Sequence, residues 1–160
     1  PHVLSDARSL GAQTVRESGA PELNDALTRA TQVTRTLGAT ATLVLPADSP
    51  LIAPEDLAEV VRLARSAECS VVLAPDRHED GTNALLTRPP GVISYVFGPG
   101  SFGRHLALAE ESGASVHVWR SPRVTLDVDT PDDLAYYRAL AQELGEPLLL
   151  PELPALSPGG

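Results

Sequence analysis

Two aspartates separated by one residue, Asp127 and Asp129, carry the strongest chemical signal in the sequence. They follow an apolar, β-rich run that starts at Val124, and a helix is predicted to begin directly after them. In an extended chain, residues two apart point to the same side and lie about 6–7 Å from each other. Two like charges at this spacing repel unless a hard divalent cation lies between them, and Mg²⁺ prefers oxygen ligands. The pattern therefore favours a Mg²⁺ site in an enzyme that handles phosphates.

Asp48 is the third candidate ligand, because it also follows a predicted buried strand, residues 41–45. In open α/β sheets, ligands bind beyond the carboxyl ends of the strands. We therefore predict that Asp48, Asp127 and Asp129 converge there as metal ligands and catalytic residues. Ordinary turn and cap roles for Asp48 and Asp129 are the alternative, since aspartate commonly serves both.

A glycine-rich turn at residues 98–105 feeds a predicted helix start and is a candidate anion site. Gly98 and Ser101 lie in the turn, where free backbone N–H groups and a positive helix end attract phosphate or carboxylate. The first helical turn carries Arg104 and His105 instead of acids, a mismatch that a bound anion would relieve. The alternative is an ordinary turn in which Ser101 caps the helix.

Gly81-Thr82-Asn83 is a second candidate for binding an oxyanion. The glycine permits close approach of the backbone, while the Thr82 hydroxyl and the Asn83 amide can hold a carboxylate or phosphate oxygen. A plain turn into a strand explains the same residues equally well. Asn24, on the polar side of a predicted helix start, has the same standing.

The order of predicted elements gives the fold class. Apolar periodicity, caps and glycine stops predict helices at 22–37, 54–64, 102–112 and 131–144, the last with Thr130 as its N-cap. β-rich runs predict strands at 41–45, 69–74, 83–87, 115–119 and 123–127. Strands that alternate with helices of this length indicate an α/β fold, a mostly parallel, Rossmann-like sheet with helices on both faces. Residues 147–160 form a Pro/Leu-rich tail that cannot be a regular helix.

Composition limits the possible partners. The chain has 160 residues, which suits one domain, and its net charge of −9 argues against a nucleic-acid surface. No apolar run is long enough to span a membrane. The single cysteine, Cys69, allows no intrachain disulfide, so a cytoplasmic location is expected.

Five segments together resemble the guanylyltransferases of coenzyme F420 biosynthesis, over residues 3–140. The matching segments, in chain order, are Leu23-Asn24-Asp25-Ala26-Leu27, Leu45-Pro46-Ala47-Asp48-Ser49-Pro50-Leu51, Gly81-Thr82-Asn83-Ala84-Leu85, residues 97–105 and Leu126-Asp127-Val128-Asp129-Thr130-Pro131. The Asp-x-Asp-Thr-Pro element is shared more widely with nucleotidyltransferases of the molybdopterin-guanylyltransferase type.

The resemblance implies a fold like that of nucleotide-diphospho-sugar transferases. It also implies a reaction in which the phosphate of phosphoenolpyruvate, or of 2-phospho-L-lactate, attacks the α-phosphorus of GTP and releases pyrophosphate. By the same resemblance, the three aspartates would hold Mg²⁺. Thr82, Asn83, Gly98 and Ser101 would hold the phosphorylated three-carbon acid, Arg104 and His105 would add charge beside it, and Asn24 would lie towards the nucleotide.

One part of the family pattern is absent. Members begin with a strand, an Arg- and Lys-bearing loop, a helix and a second strand, whereas Val3–Asp6 here corresponds to the end of that second strand. Residues 1–146 are therefore expected to form a nucleotidyltransferase domain that lacks its first βαβ portion. Two alternatives stay open: another nucleotidyltransferase of this fold, or a non-catalytic module that binds an anionic metabolite or pairs with a partner, including a second copy in a homodimer.

Overall fold

The computed structural model describes residues 2–15 and 22–149, and these ranges contain five helices and four strands. In chain order the elements are α1 (His2–Ser9), α2 (Leu23–Thr36), β1 (Thr42–Val44), α3 (Pro54–Ala64), β2 (Ser70–Pro75), β3 (Thr82–Arg88), α4 (Ser101–Glu111), β4 (Ser115–Val118) and α5 (Pro131–Leu144). None of these helices is long and apolar enough to cross a membrane.

The helix caps predicted from the sequence are confirmed at α5. The Thr130 hydroxyl accepts a hydrogen bond from the Asp133 backbone N–H, and the Asp133 carboxylate accepts from the Thr130 backbone N–H at 2.9 Å. Pro131 occupies the first turn, and Gly145 closes the helix at φ 69°. This reciprocal cap fixes the point at which the Asp127–Asp129 loop turns into a helix.

The four strands form one sheet in the order β1-β3-β2-β4. β2 and β4 pair in parallel, while β3 is antiparallel to both β1 and β2. Three of the four strands therefore share a direction, and β3 is the exception to the predicted mostly parallel sheet. Its reversal follows from its short connection to β2, residues 76–81, because a parallel crossover needs a dozen or more residues.

Helices cover both faces of the sheet, as predicted. On one face, Val71, Leu73 and Leu85 pack with Phe102 and Ala109 of α4. The alternate residues Val72 and Leu86 pack on the other face with Val60 and Ala64 of α3. Burial on both faces explains the continuous apolar runs of β2 and β3.

The predicted strand at 123–127 is wrong. The segment forms a turn and an irregular loop, with the backbone N–H groups of Val124 and Thr125 bonded to the Ser121 carbonyl. Val124 and Leu126 are nonetheless fully buried. Val124 packs against the sheet, and Leu126 packs under α5. Alternating burial at these positions reproduces the sequence period of a strand without any strand pairing.

The expectation that Val3–Asp6 ends a strand is also wrong, because residues 2–9 form α1. A helix makes its backbone hydrogen bonds within itself, whereas a strand requires a neighbour. In the tail, residues 146–149 have no regular structure, in agreement with the prediction, and the Leu149 N–H donates to the Tyr137 hydroxyl. Residues 150–160 lie outside the described part of the chain, so the boundary at 146/147 stays a prediction.

The loop between β2 and β3 is built around one carboxylate. Asp76 accepts hydrogen bonds from the backbone N–H groups of His78, Asp80 and Gly81, at 2.9, 3.0 and 2.8 Å. A Cβ atom at Gly81 would lie 2.8 Å from Asp76 Oδ2. The carboxylate that lies against the Gly81 backbone is therefore a structural reason for glycine at this position.

We expect Gly81→Ala to lower the free energy of unfolding by about 1–3 kcal/mol, because the methyl group displaces a carboxylate that holds three N–H groups. Gly103→Ala is the matched control, since an added Cβ in that helical position has no atom within 4 Å. The control should be neutral or stabilising by up to about 1 kcal/mol. Urea unfolding measures both, and equal effects of the two substitutions would contradict this view of the loop.

Candidate active site

The structure brings the loops that carry the three candidate metal ligands into contact. The Val128 N–H donates to the Asp48 carbonyl at 3.3 Å, which ties the loop after β1 to the loop before α5. The pKa of Asp129 is raised, first by the charge of Asp127, then by burial, and further by the charges of Asp48 and Asp133. Asp48 and the Asp127/Asp129 pair therefore share one electrostatic environment, although nearly 80 residues separate them in the sequence.

The donor chemistry of this carboxylate set fits a hard divalent cation. Asp48 and Asp129 are exposed and Asp127 is half-buried, so all three can reach solvent and an incoming ligand. Among the described residues, no group of three or more His, Cys, Asp or Glu side chains is arranged so that it could hold a metal ion, so the structure does not gather all three aspartates into one ligand group. Mg²⁺ does not require one, since it usually takes one or two protein carboxylates and completes its shell with water and substrate phosphates.

A β-bulge at Asn83 directs the two polar side chains of the Gly-Thr-Asn segment. Ala74 pairs with Ala84, and the next pair is Pro75 with Thr82, which leaves Asn83 as the extra residue. Paired residues share a face, so Thr82 lies on the α4 face, whereas strict alternation from Ala84 would place it on the opposite face. The Asn83 Nδ2 donates to Asp127 Oδ1 at 3.3 Å.

Thr82, Ser101 and His105 form a buried hydroxyl–imidazole group at the start of α4. The Thr82 Oγ1 lies 2.9 Å from His105 Nδ1 and 3.3 Å from Ser101 Oγ. All three residues are at most 8% exposed. The structure therefore unites two sequence segments, 81–83 and 98–105, that were predicted separately.

The expectation that His105 adds positive charge is wrong. Its side chain is fully buried, and the Phe97 ring packs edge-on against it with the ring centroids 4.8 Å apart. Burial, helped by the charge of Arg104, lowers the pKa of His105 to about 4. At neutral pH the imidazole is uncharged and serves as a hydrogen-bonding group.

Three backbone N–H groups of the glycine-rich turn are engaged within the chain, so they are not the free donors that the sequence suggested. The Ser101 N–H donates to the Gly98 carbonyl, and the Phe102 N–H donates to the Asp80 carbonyl. The Gly100 N–H donates to the Asp80 carboxylate at 2.9 Å. The mismatch in the first turn of α4 is thus relieved by an acid from the β2–β3 loop. Gly98 and Gly100 have φ 125° and 68°, a region that favours glycine.

Asn24 and Arg104 both hold the segment that precedes the turn. The Asn24 side chain accepts from the Phe97 N–H at 2.7 Å and donates to the Phe97 carbonyl at 3.2 Å. The exposed Arg104 donates to the Val96 carbonyl at 2.8 Å. These four residues line an open cleft of about 330 Å³. The nucleotide role of Asn24 and the substrate role of Arg104 stay predictions.

Asp80 is the residue of this region that sequence reasoning missed. Its signal was the absence of any acid in the first turn of α4, a helix whose N-terminal end still needs a negative partner. The partner lies about 20 positions earlier in the chain. Only the packing of the β2–β3 loop on α4 identifies it.

Residues 2–137 match a protein-family model described as "Guanylyl transferase CofC like". The chain belongs to this family. Two relatives are named phosphoenolpyruvate guanylyltransferase: that of Rubrobacter xylanophilus is 47% identical over 139 residues, and that of Conexibacter woesei is 46% identical over 117 residues. These alignments cover 87% and 73% of this chain.

The chain is shorter than the guanylyltransferases that it matches, and spans 67% and 52% of these two relatives. A solved structure described as a nucleotide-diphospho-sugar transferase, from Desulfovibrio desulfuricans G20, aligns with a TM-score of 0.62 and 15% identity. That alignment covers 78% of this chain and 54% of the other. It confirms the fold that the resemblance implied.

His105 makes folding of this guanylyltransferase-family chain sensitive to mild acid. Its pKa is about 4 in the folded state, against an ordinary value of 6.5. As the pH falls between these values, the unfolded chain binds a proton that the folded chain does not, so the free energy of unfolding falls. We expect a loss of about 2 kcal/mol from this group between about pH 7.5 and pH 5. Urea unfolding at both pH values should show that the stability gap between wild type and His105→Gln narrows at the lower pH, and a constant gap would contradict the assignment.

Proposed function

We propose that the protein carrying this chain is a guanylyltransferase of coenzyme F420 biosynthesis that joins GTP to phosphoenolpyruvate and releases pyrophosphate. A phosphate oxygen of the acid attacks the α-phosphorus of GTP. A new P–O–P linkage forms, and the bond from the α-phosphorus to the bridging oxygen of pyrophosphate breaks. Family membership and the names of the relatives support the reaction.

The observation that carries the proposal is that β3 joins the two halves of the candidate site. Thr82 contacts the hydroxyl and imidazole of α4, while its neighbour Asn83 contacts Asp127 of the carboxylate set. Groups that suit an anionic acid and groups that suit a metal are therefore fixed by consecutive residues. Such spacing suits a reaction in which two phosphates must be held close together.

Asp48, Asp127 and Asp129 would hold Mg²⁺, which when bound supplies positive charge to offset that of the phosphates. The chain itself positions the carboxylates that would hold the metal. Asn83 orients the Asp127 carboxylate, and the Val128–Asp48 hydrogen bond keeps the two loops together. The phosphate group of phosphoenolpyruvate is already ionised at neutral pH, so the reaction requires no general base from the protein.

Arg104 and Asn24 would serve the substrates from the neighbouring cleft. The Arg104 guanidinium is exposed beside the glycine-rich turn and uses one nitrogen on the Val96 carbonyl. Its remaining donors would interact with a phosphate. Asn24 keeps Phe97 in place and would approach the nucleotide through the edge of α2.

The reaction is tested with the intact protein, GTP and Mg²⁺, in separate arms with phosphoenolpyruvate and 2-phospho-L-lactate, by measurement of pyrophosphate release. We expect release with phosphoenolpyruvate and a loss of activity when the metal is chelated. No release with either acid would refute the guanylyltransferase assignment. Release with 2-phospho-L-lactate alone would change the acceptor but keep the reaction.

Asp127→Asn tests the metal site. We expect pyrophosphate release to fall roughly 100-fold or more, because a preorganised charge at the reacting phosphates is lost. The variant should stay folded, since within the described residues the Asp127 side chain makes one hydrogen bond, which it accepts from Asn83. Asp132→Asn is the matched control, because it removes the same charge from the exposed first turn of α5. Equal activity of the two variants would contradict a metal role for Asp127, and unfolding of Asp127→Asn would favour a structural role.

A further inference from the structure

The hydrogen bonds of His105 define its protonation. The Val96 backbone N–H donates to His105 Nε2 at 3.0 Å, and a backbone N–H can only donate. Nε2 is therefore the unprotonated nitrogen of a neutral ring, and Nδ1 carries the proton. Since Nδ1 lies 2.9 Å from Thr82 Oγ1, the imidazole is the donor and the threonine oxygen is the acceptor.

The Thr82 hydroxyl then has both of its lone pairs engaged. One accepts from His105 Nδ1–H, and the other accepts from Ser101 Oγ–H at 3.3 Å. A hydroxyl has two acceptor positions and one donor hydrogen. Within residues 2–15 and 22–149, no acceptor is found for that hydrogen, although Thr82 is only 8% exposed.

We propose that His105 is a positioning residue that makes the Thr82 hydroxyl an obligate hydrogen-bond donor towards the candidate site, where it meets a carboxylate or phosphate oxygen of the acceptor acid. This proposal rests on the proposed function and assigns the recognition of the anionic acid to one hydrogen. A ligand that offers only a donor at that point would leave two hydrogens facing each other. The Thr82 hydroxyl therefore selects for a hydrogen-bond acceptor, such as an oxyanion, through a neutral donor.

The surroundings of His105 keep the ring in this state. Phe97 packs edge-on against it, and Asn24 fixes both backbone polar groups of Phe97. Tyr95 stacks on Phe97 and bonds through its hydroxyl to the buried Thr31 of α2. These contacts exclude water from the ring and hold the Val96 N–H on Nε2. A protonated ring would lose that bond, because both nitrogens would then be donors.

The test is a double-mutant cycle with phosphoenolpyruvate as the probe, measured in the intact protein by calorimetry in the presence of Mg²⁺. Thr82→Val removes the donor hydrogen, and Thr82→Ser retains it. His105→Gln can still accept from Val96 but loses the donor to Thr82, whereas His105→Asn can keep that donor. Thr87→Val is the control for loss of a buried hydroxyl, because Thr87 lies at the far end of β3 and bonds only within the chain.

We expect Thr82→Val and His105→Gln each to weaken phosphoenolpyruvate binding roughly tenfold or more, as for the loss of a hydrogen bond to a charged group. Thr82→Ser, His105→Asn and Thr87→Val should stay within roughly threefold of wild type. The double variant Thr82→Val/His105→Gln should bind no more weakly than the weaker single variant, because both changes remove one interaction.

Binding by Thr82→Val at the wild-type level would overturn the proposal, and so would independent, multiplicative losses in the double variant. If the His105 variants fail to fold, as monitored by circular dichroism, the comparison of Thr82→Val with Thr82→Ser still decides the role of the donor hydrogen. Failure of guanylyl transfer is a separate result. Phosphoenolpyruvate binding that depends on Thr82 in a protein without turnover would uphold this inference and reject the proposed reaction.

Discussion

The bulge at Asn83 is the local distortion on which the candidate site depends. It sets Thr82 on the α4 face and frees Asn83 to bond Asp127, so that consecutive residues serve two different loops. A regular strand would direct Thr82 away from His105. The buried hydroxyl–imidazole group that Thr82 forms with Ser101 and His105 would then be lost. Because Thr82 and Asn83 belong to the central strand pair β2–β3, the pairing of these strands fixes the positions of their side chains.

Electrostatics separates the acids that build the fold from those that are available for chemistry. Asp76 accepts three backbone hydrogen bonds, Asp80 caps α4, and Asp133 caps α5 and pairs with Arg77 at 2.6 Å. The hydrogen bond from the Thr130 hydroxyl, with a smaller effect of the Arg77 charge, holds the pKa of Asp133 below its ordinary value. Asp129 shows the opposite behaviour, since its acidic neighbours raise its pKa. A bound cation, as proposed for Mg²⁺, would reduce this repulsion among like charges.

The part of the candidate site that is proposed to bind the anionic acid consists mainly of neutral groups. His105 is buried and uncharged, the backbone donors at the start of α4 are partly engaged by Asp80, and the exposed Arg104 bonds to the Val96 carbonyl. A neutral donor network can place a phosphorylated acid accurately without the cost of burying a charge. The chain itself carries a net negative charge. The negative charge of the substrates would therefore be offset mainly by the cation that the carboxylates would hold.

Much of the architecture follows from local sequence signals. Caps and glycine stops predicted four helices closely, and apolar runs predicted four strands. The short connection at 76–81 indicates that β3 is antiparallel to β2. The alternation of strands and helices elsewhere in the sequence led instead to the prediction of a mostly parallel sheet. The false strand at 123–127 arose because burial alternates along an irregular loop, with Leu126 under α5 and Val124 against the sheet. Periodicity reports which side chains are buried, and does not report what their backbone is bonded to.

For the candidate site, the sequence by itself determined the residue types: three aspartates with oxygen donors, a hydroxyl–amide pair at Thr82 and Asn83, and a glycine-rich helix start. The resemblance to the guanylyltransferases rests on the same segments. The tertiary structure alone decided that His105 is neutral, that Asp80 occupies the N-terminal end of α4, and that Asn83 bonds to Asp127. The physical reason is that protonation, capping by a distant acid and a bulge all depend on burial and on partners far away in the chain, and local sequence carries no record of either.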